Sequence, residues 1–149
     1  MGNTRGWLML LSLSLFSTVS SAEITSKSQE NLVKIYIDIQ GNTISGTLKS
    51  DSDAAKSFAA LLPLQLKLSD YAATEKVADL PKPLSTQNEP AGTAAKVGDI
   101  TYYAPWGNLA IFHKSFGYAN GLVTLGTLDS GIEFMRKPGE LDVTIRLAE

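Results

Sequence analysis

Two stretches of this chain alternate apolar and polar residues with a strict period of two. Val33, Ile35, Ile37 and Ile39 do so early on, and Leu141, Val143, Ile145 and Leu147 do so late. A period of two sends successive side chains to opposite faces, so each stretch reads as a half-buried strand. Leu64, Leu66 and Leu68, alternating with Gln65, Lys67 and Ser69, supply a third. One-sided strands of this kind need partners that bury the same face, and no βαβ alternation interrupts them. The expected class is therefore mainly β: a closed antiparallel sheet carrying short helices.

Local signals fill in the order. Gly41-Asn42 offers a two-residue hairpin turn, which sets Ile39 opposite Ile44, Ile37 opposite Gly46 and Ile35 opposite Leu48, with both strands burying one face. Ser50-Asp51-Ser52-Asp53 supplies helix N-caps, and Ala55, Phe58, Leu61 and Leu62 follow at helical spacing until Pro63. The helix is expected over one end of the sheet. From Tyr71 to Gly98 periodicity fades, and residues 81–92 read as a proline-punctuated loop that Val77, Leu80 and Leu84 pin to the core. Ile100, Tyr102 and Ala104 share one face of a strand. A turn at Pro105 to Asn108 and the run Leu109 to Phe112 complete a hairpin. Ser130-x-x-Glu133 has capping-box spacing before Ile132 to Met135.

The first 22 residues have the three parts of an export signal: Arg5, an apolar run from Trp7 to Phe16, and a small-residue exit at Ser20-Ser21-Ala22. The run is short and serine-broken, so cleavage after Ala22 is expected rather than a stable membrane anchor. Residues 23–149 then form one domain, periplasmic or extracellular. It carries 12 basic against 15 acidic side chains, a net charge of about −3. No basic cluster suits phosphates, so nucleic acid is not an expected partner. With no cysteine and one histidine, His113, the chain lacks the usual structural and catalytic zinc patterns, and no metal is expected. Gly107, Gly117, Gly121, Gly126 and Gly131 match no dinucleotide or phosphate fingerprint. They read as turns or close strand approaches, and no cofactor is expected.

The run Gly98-Asp99-Ile100-Thr101-Tyr102-Tyr103-Ala104-Pro105-Trp106-Gly107-Asn108-Leu109-Ala110-Ile111-Phe112 resembles the signature of a bacterial cyclophilin-like family of uncharacterised activity. The likeness continues through Gly117-Tyr118-Ala119-Asn120-Gly121-Leu122 and Leu125-Gly126, and backward through Asp70-Tyr71, Thr74-Glu75-Lys76 and Asp79-Leu80-Pro81. The resemblance implies a closed antiparallel β-barrel of cyclophilin-like type with short helices at its ends. It implies no activity, because one fold hosts many functions.

Candidate chemistry is sparse. Phe112-His113-Lys114 is similar to the Phe-His-Arg segment of true prolyl isomerases, but lysine lacks the forked donor set of arginine. Arg136 reads as a helix C-terminal charge and Arg146 as a surface residue. Glu75 and Asp79 are spaced i, i+4 and read as a solvated loop or helix face. The aromatic set Tyr102, Tyr103, Trp106, Phe112, Phe116 and Tyr118 is the densest feature. Alternate members fill the barrel, leaving Tyr103, Trp106 and Tyr118 as a rim beside Asn108, His113 and Asn120. These six residues are the candidate ligand site, for a peptide or small molecule. A diverged prolyl isomerase acting on exported proteins is the competing function.

Overall fold

The computed structural model describes Gly2 and residues 32–149; the expected export segment and the polar stretch Lys27 to Asn31 lie outside the described residues. Ten strands and two short helices follow in order: β1 (Val33–Ile39), β2 (Asn42–Leu48), α1 (Asp53–Ala59), β3 (Leu64–Tyr71), β4 (Glu75–Asp79), β5 (Gly92–Ala95), β6 (Asp99–Tyr103), β7 (Asn108–Phe112), β8 (Phe116–Asn120), β9 (Leu122–Leu128), α2 (Ile132–Arg136) and β10 (Leu141–Leu147). Eight of the strands close an antiparallel barrel in the order β1-β10-β3-β4-β7-β6-β9-β2, and β5 and β8 form a separate two-stranded sheet. The expected class, a closed antiparallel barrel with short helices, is the observed one.

The alternating residues line the barrel. Ile35, Ile37 and Ile39 are at most 1% exposed, and Ile44, Leu48, Leu68, Ile100, Tyr102, Leu109, Ile111, Val123, Leu125, Leu141, Val143 and Ile145 join them in one core. The first hairpin differs from the sequence reading by two residues: Ile39 pairs with Asn42, Ile37 with Ile44 and Ile35 with Gly46. Its turn is Gln40-Gly41, with φ of 49° and 75°, and two positive φ values are what a type I′ turn requires. A slip of two preserves parity, so the buried face is the expected one. Gly126 bears out the close-approach reading, because a Cβ there would collide with the Thr47 carbonyl where β9 crosses β2.

The helices plug opposite ends, since each leads into one of two antiparallel neighbours, β3 and β10. Ser52 caps α1, its Oγ accepting from the Ala55 N–H at 3.0 Å, and Ala54, Ala55 and Phe58 are buried beneath it. The capping box foreseen at Ser130 is absent. Gly131 occupies the N-cap with φ 81° and no side-chain bond, and Ser130 Oγ instead accepts from the Ser45 N–H. Ser130 stands one residue before the N-cap, outside the position from which a side chain caps the helix. The loop after β4 is pinned as expected through buried Leu84, whose N–H donates to the Tyr102 hydroxyl at 3.3 Å.

The segment read as aperiodic contains β4, and the reason is a lysine inside the barrel. Lys76 and Ala78 take the inward positions, and Lys76 is 0% exposed. Its ammonium donates to Asp70 Oδ1 at 2.6 Å and to the carbonyls of Lys137 and Gly139 at 2.7 and 2.6 Å. Glu75 and Asp79 therefore lie on the outward face of a strand, not on a helix, which corrects the i, i+4 reading. Arg146 is on the surface as expected, bonded to Asp38 at 2.8 Å and lying over the Tyr36 ring.

Candidate functional site

The outer wall of β3, β4, β7, β6 and β9 is partly covered by the β5–β8 sheet, and the cover creates a second, smaller core. Ala95 from β5, Ala110 and Phe112 from β7 and Leu122 from β9 are buried in it, with Val77, Tyr103 and Ala119 alongside. This explains why all five residues of β7 are buried: Leu109 and Ile111 face the barrel, and Asn108, Ala110 and Phe112 face the cover. Gly121, at φ 86°, anchors the cover. Its N–H donates to the Ala91 carbonyl at 2.7 Å, and its own carbonyl accepts from Ala104 at 3.0 Å.

Where the cover stops short, a cavity of about 220 Å³ opens on the wall, lined by Tyr71, Glu75, Tyr103, Trp106, Asn108, Phe112, Phe116, Ala119 and Leu122. Strand register assembles it. Tyr71 pairs with Glu75 and Glu75 with Phe112, forming one row across β3, β4 and β7. Asn108 pairs with Tyr103 and Tyr103 with Leu122, forming a second row across β7, β6 and β9. Trp106, in the β6–β7 turn, links the rows edge-on, its ring 5.5 Å from Tyr71 and 5.3 Å from Tyr103. Phe116 closes the far side, 5.9 Å from Phe112.

Two polar groups stand among these rings. Asn108 is 6% exposed, and its Oδ1 is buried with no hydrogen-bond partner. A buried carbonyl without a partner is uncommon and costs free energy. Glu75 is half-buried, and burial pushes its carboxyl up to about 6. It belongs to no ion pair among the described residues.

A larger and more open groove of about 830 Å³ lies elsewhere, lined by Asp70, Ala73, Val97, His113, Lys114, Ser115, Arg136 and Pro138. Burial, then the nearby Lys114 and Lys76 charges, hold the His113 imidazole below its ordinary value. The Asp70 carboxyl is held low by its bonds from Lys76 and the Gly139 N–H.

Of the six candidate residues, Tyr103, Trp106 and Asn108 meet in the aromatic cavity. His113 does not. It follows β7 by one position, so alternation turns it away from Phe112 and toward the open groove. Tyr118, 65% exposed, and Asn120 lie on β8 to either side of Ala119, which takes the inward position. Phe116, counted by alternation with the core aromatics, is 45% exposed at the cavity edge. Sequence reading missed Glu75 and Tyr71, whose place follows only from knowing that β4 is a strand beside β7.

A closed eight-stranded antiparallel barrel with helices at its ends and a cleft on its outer wall is a cyclophilin-like architecture. A family model described as Cyclophilin-like family matches residues 37–146, and the chain belongs to that family. The solution structure of a hypothetical protein from Archaeoglobus fulgidus superposes with a TM-score of 0.59 at 13% identity, covering 79% of this chain and 96% of that one. At that identity the likeness shows the fold alone. No curated protein matches the chain.

Proposed function

We propose that this protein is an exported binding module that takes a small molecule, or a side chain of a peptide, in the aromatic cavity on its barrel wall. The carrying observation is a cavity walled by five aromatic side chains with the half-buried Glu75 carboxyl and the Asn108 side chain among them. Concave sites walled by aromatic groups with a few convergent polar atoms are what ligand recognition uses. At about 220 Å³ the cavity suits a compact head group rather than a drug-sized molecule.

The isomerase reading gains no support from this geometry. Lys114 and Arg136 line the open groove, and among the described residues no lysine or arginine lines the aromatic cavity. Polarising a prolyl amide needs a cationic donor held over an apolar floor.

A screen of small metabolite-like compounds by thermal shift tests the binding reading. A ligand present at about 100 times its Kd stabilises the folded state by about 2.7 kcal/mol. The expected result is at least one such compound whose stabilisation disappears in Trp106→Ala. Hits that stabilise Trp106→Ala as well as the parent place binding elsewhere and refute the assignment.

Export rests on the Arg5, Trp7–Phe16 and Ala22 pattern. No described helix is long and apolar enough to cross a membrane. Mass spectrometry of protein recovered from outside the cytoplasm is expected to give an N-terminus at Glu23. Recovery of a chain that retains residues 1–22 overturns the signal reading.

A further inference from the structure

We infer that the ligand of the aromatic cavity is an organic cation: an ammonium or guanidinium group on a short apolar stem, seated against the Glu75 carboxylate among the aromatic rings. The inference rests on the binding reading above and narrows its chemistry. Two features of the lining point the same way. The faces of Tyr71, Tyr103, Trp106, Phe112 and Phe116 carry the negative side of the ring quadrupole and attract cations. Glu75 presents a carboxylate without a cation paired to it among the described residues.

An anion is disfavoured by the same lining, because it would meet a carboxylate in a partly desolvated site with no charged donor to offset the repulsion. A purely apolar ligand would cover the Glu75 carboxyl without bonding it. A cation pairs with the carboxylate.

Protonation state follows from the surroundings of Glu75. The phenols of Tyr71 and Tyr103 are the other titratable groups lining the cavity; Asn108, Phe112, Phe116, Ala119 and Leu122 carry no charge. Lys76, next along β4, points into the barrel and is bound to Asp70, and Asp79 is exposed at the strand's other end. Burial raises the Glu75 carboxyl to about 6, so the empty cavity begins to lose its charge just below neutral pH. A bound cation opposes that protonation, and by linkage the cation's affinity falls as the pH drops below about 6.

The test is a chemical-shift titration of the full chain, following the Asn108 carboxamide and the Trp106 indole N–H. Three probes are used: phenethylammonium, its neutral counterpart 2-phenylethanol, and N-acetyl-lysine N-methylamide as the peptide form of the same cation. At about pH 7.5 at least one cationic probe is expected to bind at least about tenfold more tightly than the alcohol, the span of one charge-assisted hydrogen bond. The tighter of the two cations identifies a free amine or a peptide side chain as the source. Glu75→Gln is expected to abolish the preference for cations. Lowering the pH to about 5 is expected to weaken cation binding to the parent, an arm that needs no variant. Equal binding of alcohol and cations overturns the cation inference while leaving the cavity a binding site. No saturable shift of these two signals with any probe overturns both.

Discussion

Asp70→Ala is expected to lower the free energy of unfolding by about 2 to 4 kcal/mol, somewhat under the range for breaking a fully buried ion pair because Asp70 itself meets solvent. The cost lies with the partner left behind. The Lys76 side chain is 0% exposed and that of Asp70 is 38% exposed, and the two are 2.6 Å apart. Without the carboxylate the ammonium keeps only the carbonyls of Lys137 and Gly139, which solvate it but do not neutralise it. Urea unfolding monitored by circular dichroism measures the loss as a fall in midpoint at constant slope. The double variant Asp70→Ala with Lys76→Met is expected to recover much of it, because an apolar chain of similar length replaces a stranded charge. Failure of the double variant to recover would mean that Asp70 acts through its bond to the Gly139 N–H, at 2.7 Å, rather than through the lysine. The pH dependence has a definite sign. The Asp70 carboxyl titrates below its ordinary value, so the native state binds fewer protons than the unfolded chain around pH 4. Its contribution is present above the ordinary aspartate range and is lost as pH falls through the lowered folded value.

Ile37→Ala is expected to cost about 2 to 5 kcal/mol, and Ile37→Val about 0.5 to 1.5 kcal/mol. Ile37 is 0% exposed at the middle of β1, directly opposite Ile44 on β2 and Ile145 on β10. A barrel cannot relax around a missing side chain as an open sheet does, because each strand is hydrogen-bonded on both edges. The void therefore remains largely unfilled. Denaturant midpoints for the two variants check the gradient, and values near the parent's for both would place Ile37 outside the interior.

How far residues alone carry such conclusions varies along the chain. The inward set on β1, β2 and β10 is legible because apolar residues recur every second position, and a register slip of two leaves that parity untouched. The register itself is not legible. Gln40-Gly41 and Gly41-Asn42 both offer a two-residue turn, and the choice rests on pairing with β10 and β9 as well as on the turn. β4 escapes notice because its inward positions hold Lys76 and Ala78 while Val77 points outward, which inverts the usual pattern. A lysine inside a barrel is tolerable only because Asp70 and two carbonyls after α2 reach its ammonium, and those groups lie up to 63 residues away in sequence.

The candidate cavity divides in the same way. Its hairpin residues Tyr103, Trp106 and Asn108 stand within a few positions of one another, so their meeting is a local matter of strand, turn and strand. Glu75 and Tyr71 join them only through the β4–β7 and β3–β4 pairings. His113 leaves the group because one step along a strand reverses a side chain. By itself the sequence determined that the described chain is a one-sided β-structure, which strands alternate, and which aromatics lie in the hairpin. It did so because strand periodicity and turn chemistry act over a few residues. Only the tertiary structure decided that a small second sheet covers the outer wall, that Lys76 is buried, and that Glu75 and Asn108 line one cavity with five aromatic rings. Those outcomes depend on which strand becomes the neighbour of which when the barrel closes, and closure is a property of the whole sheet rather than of any segment.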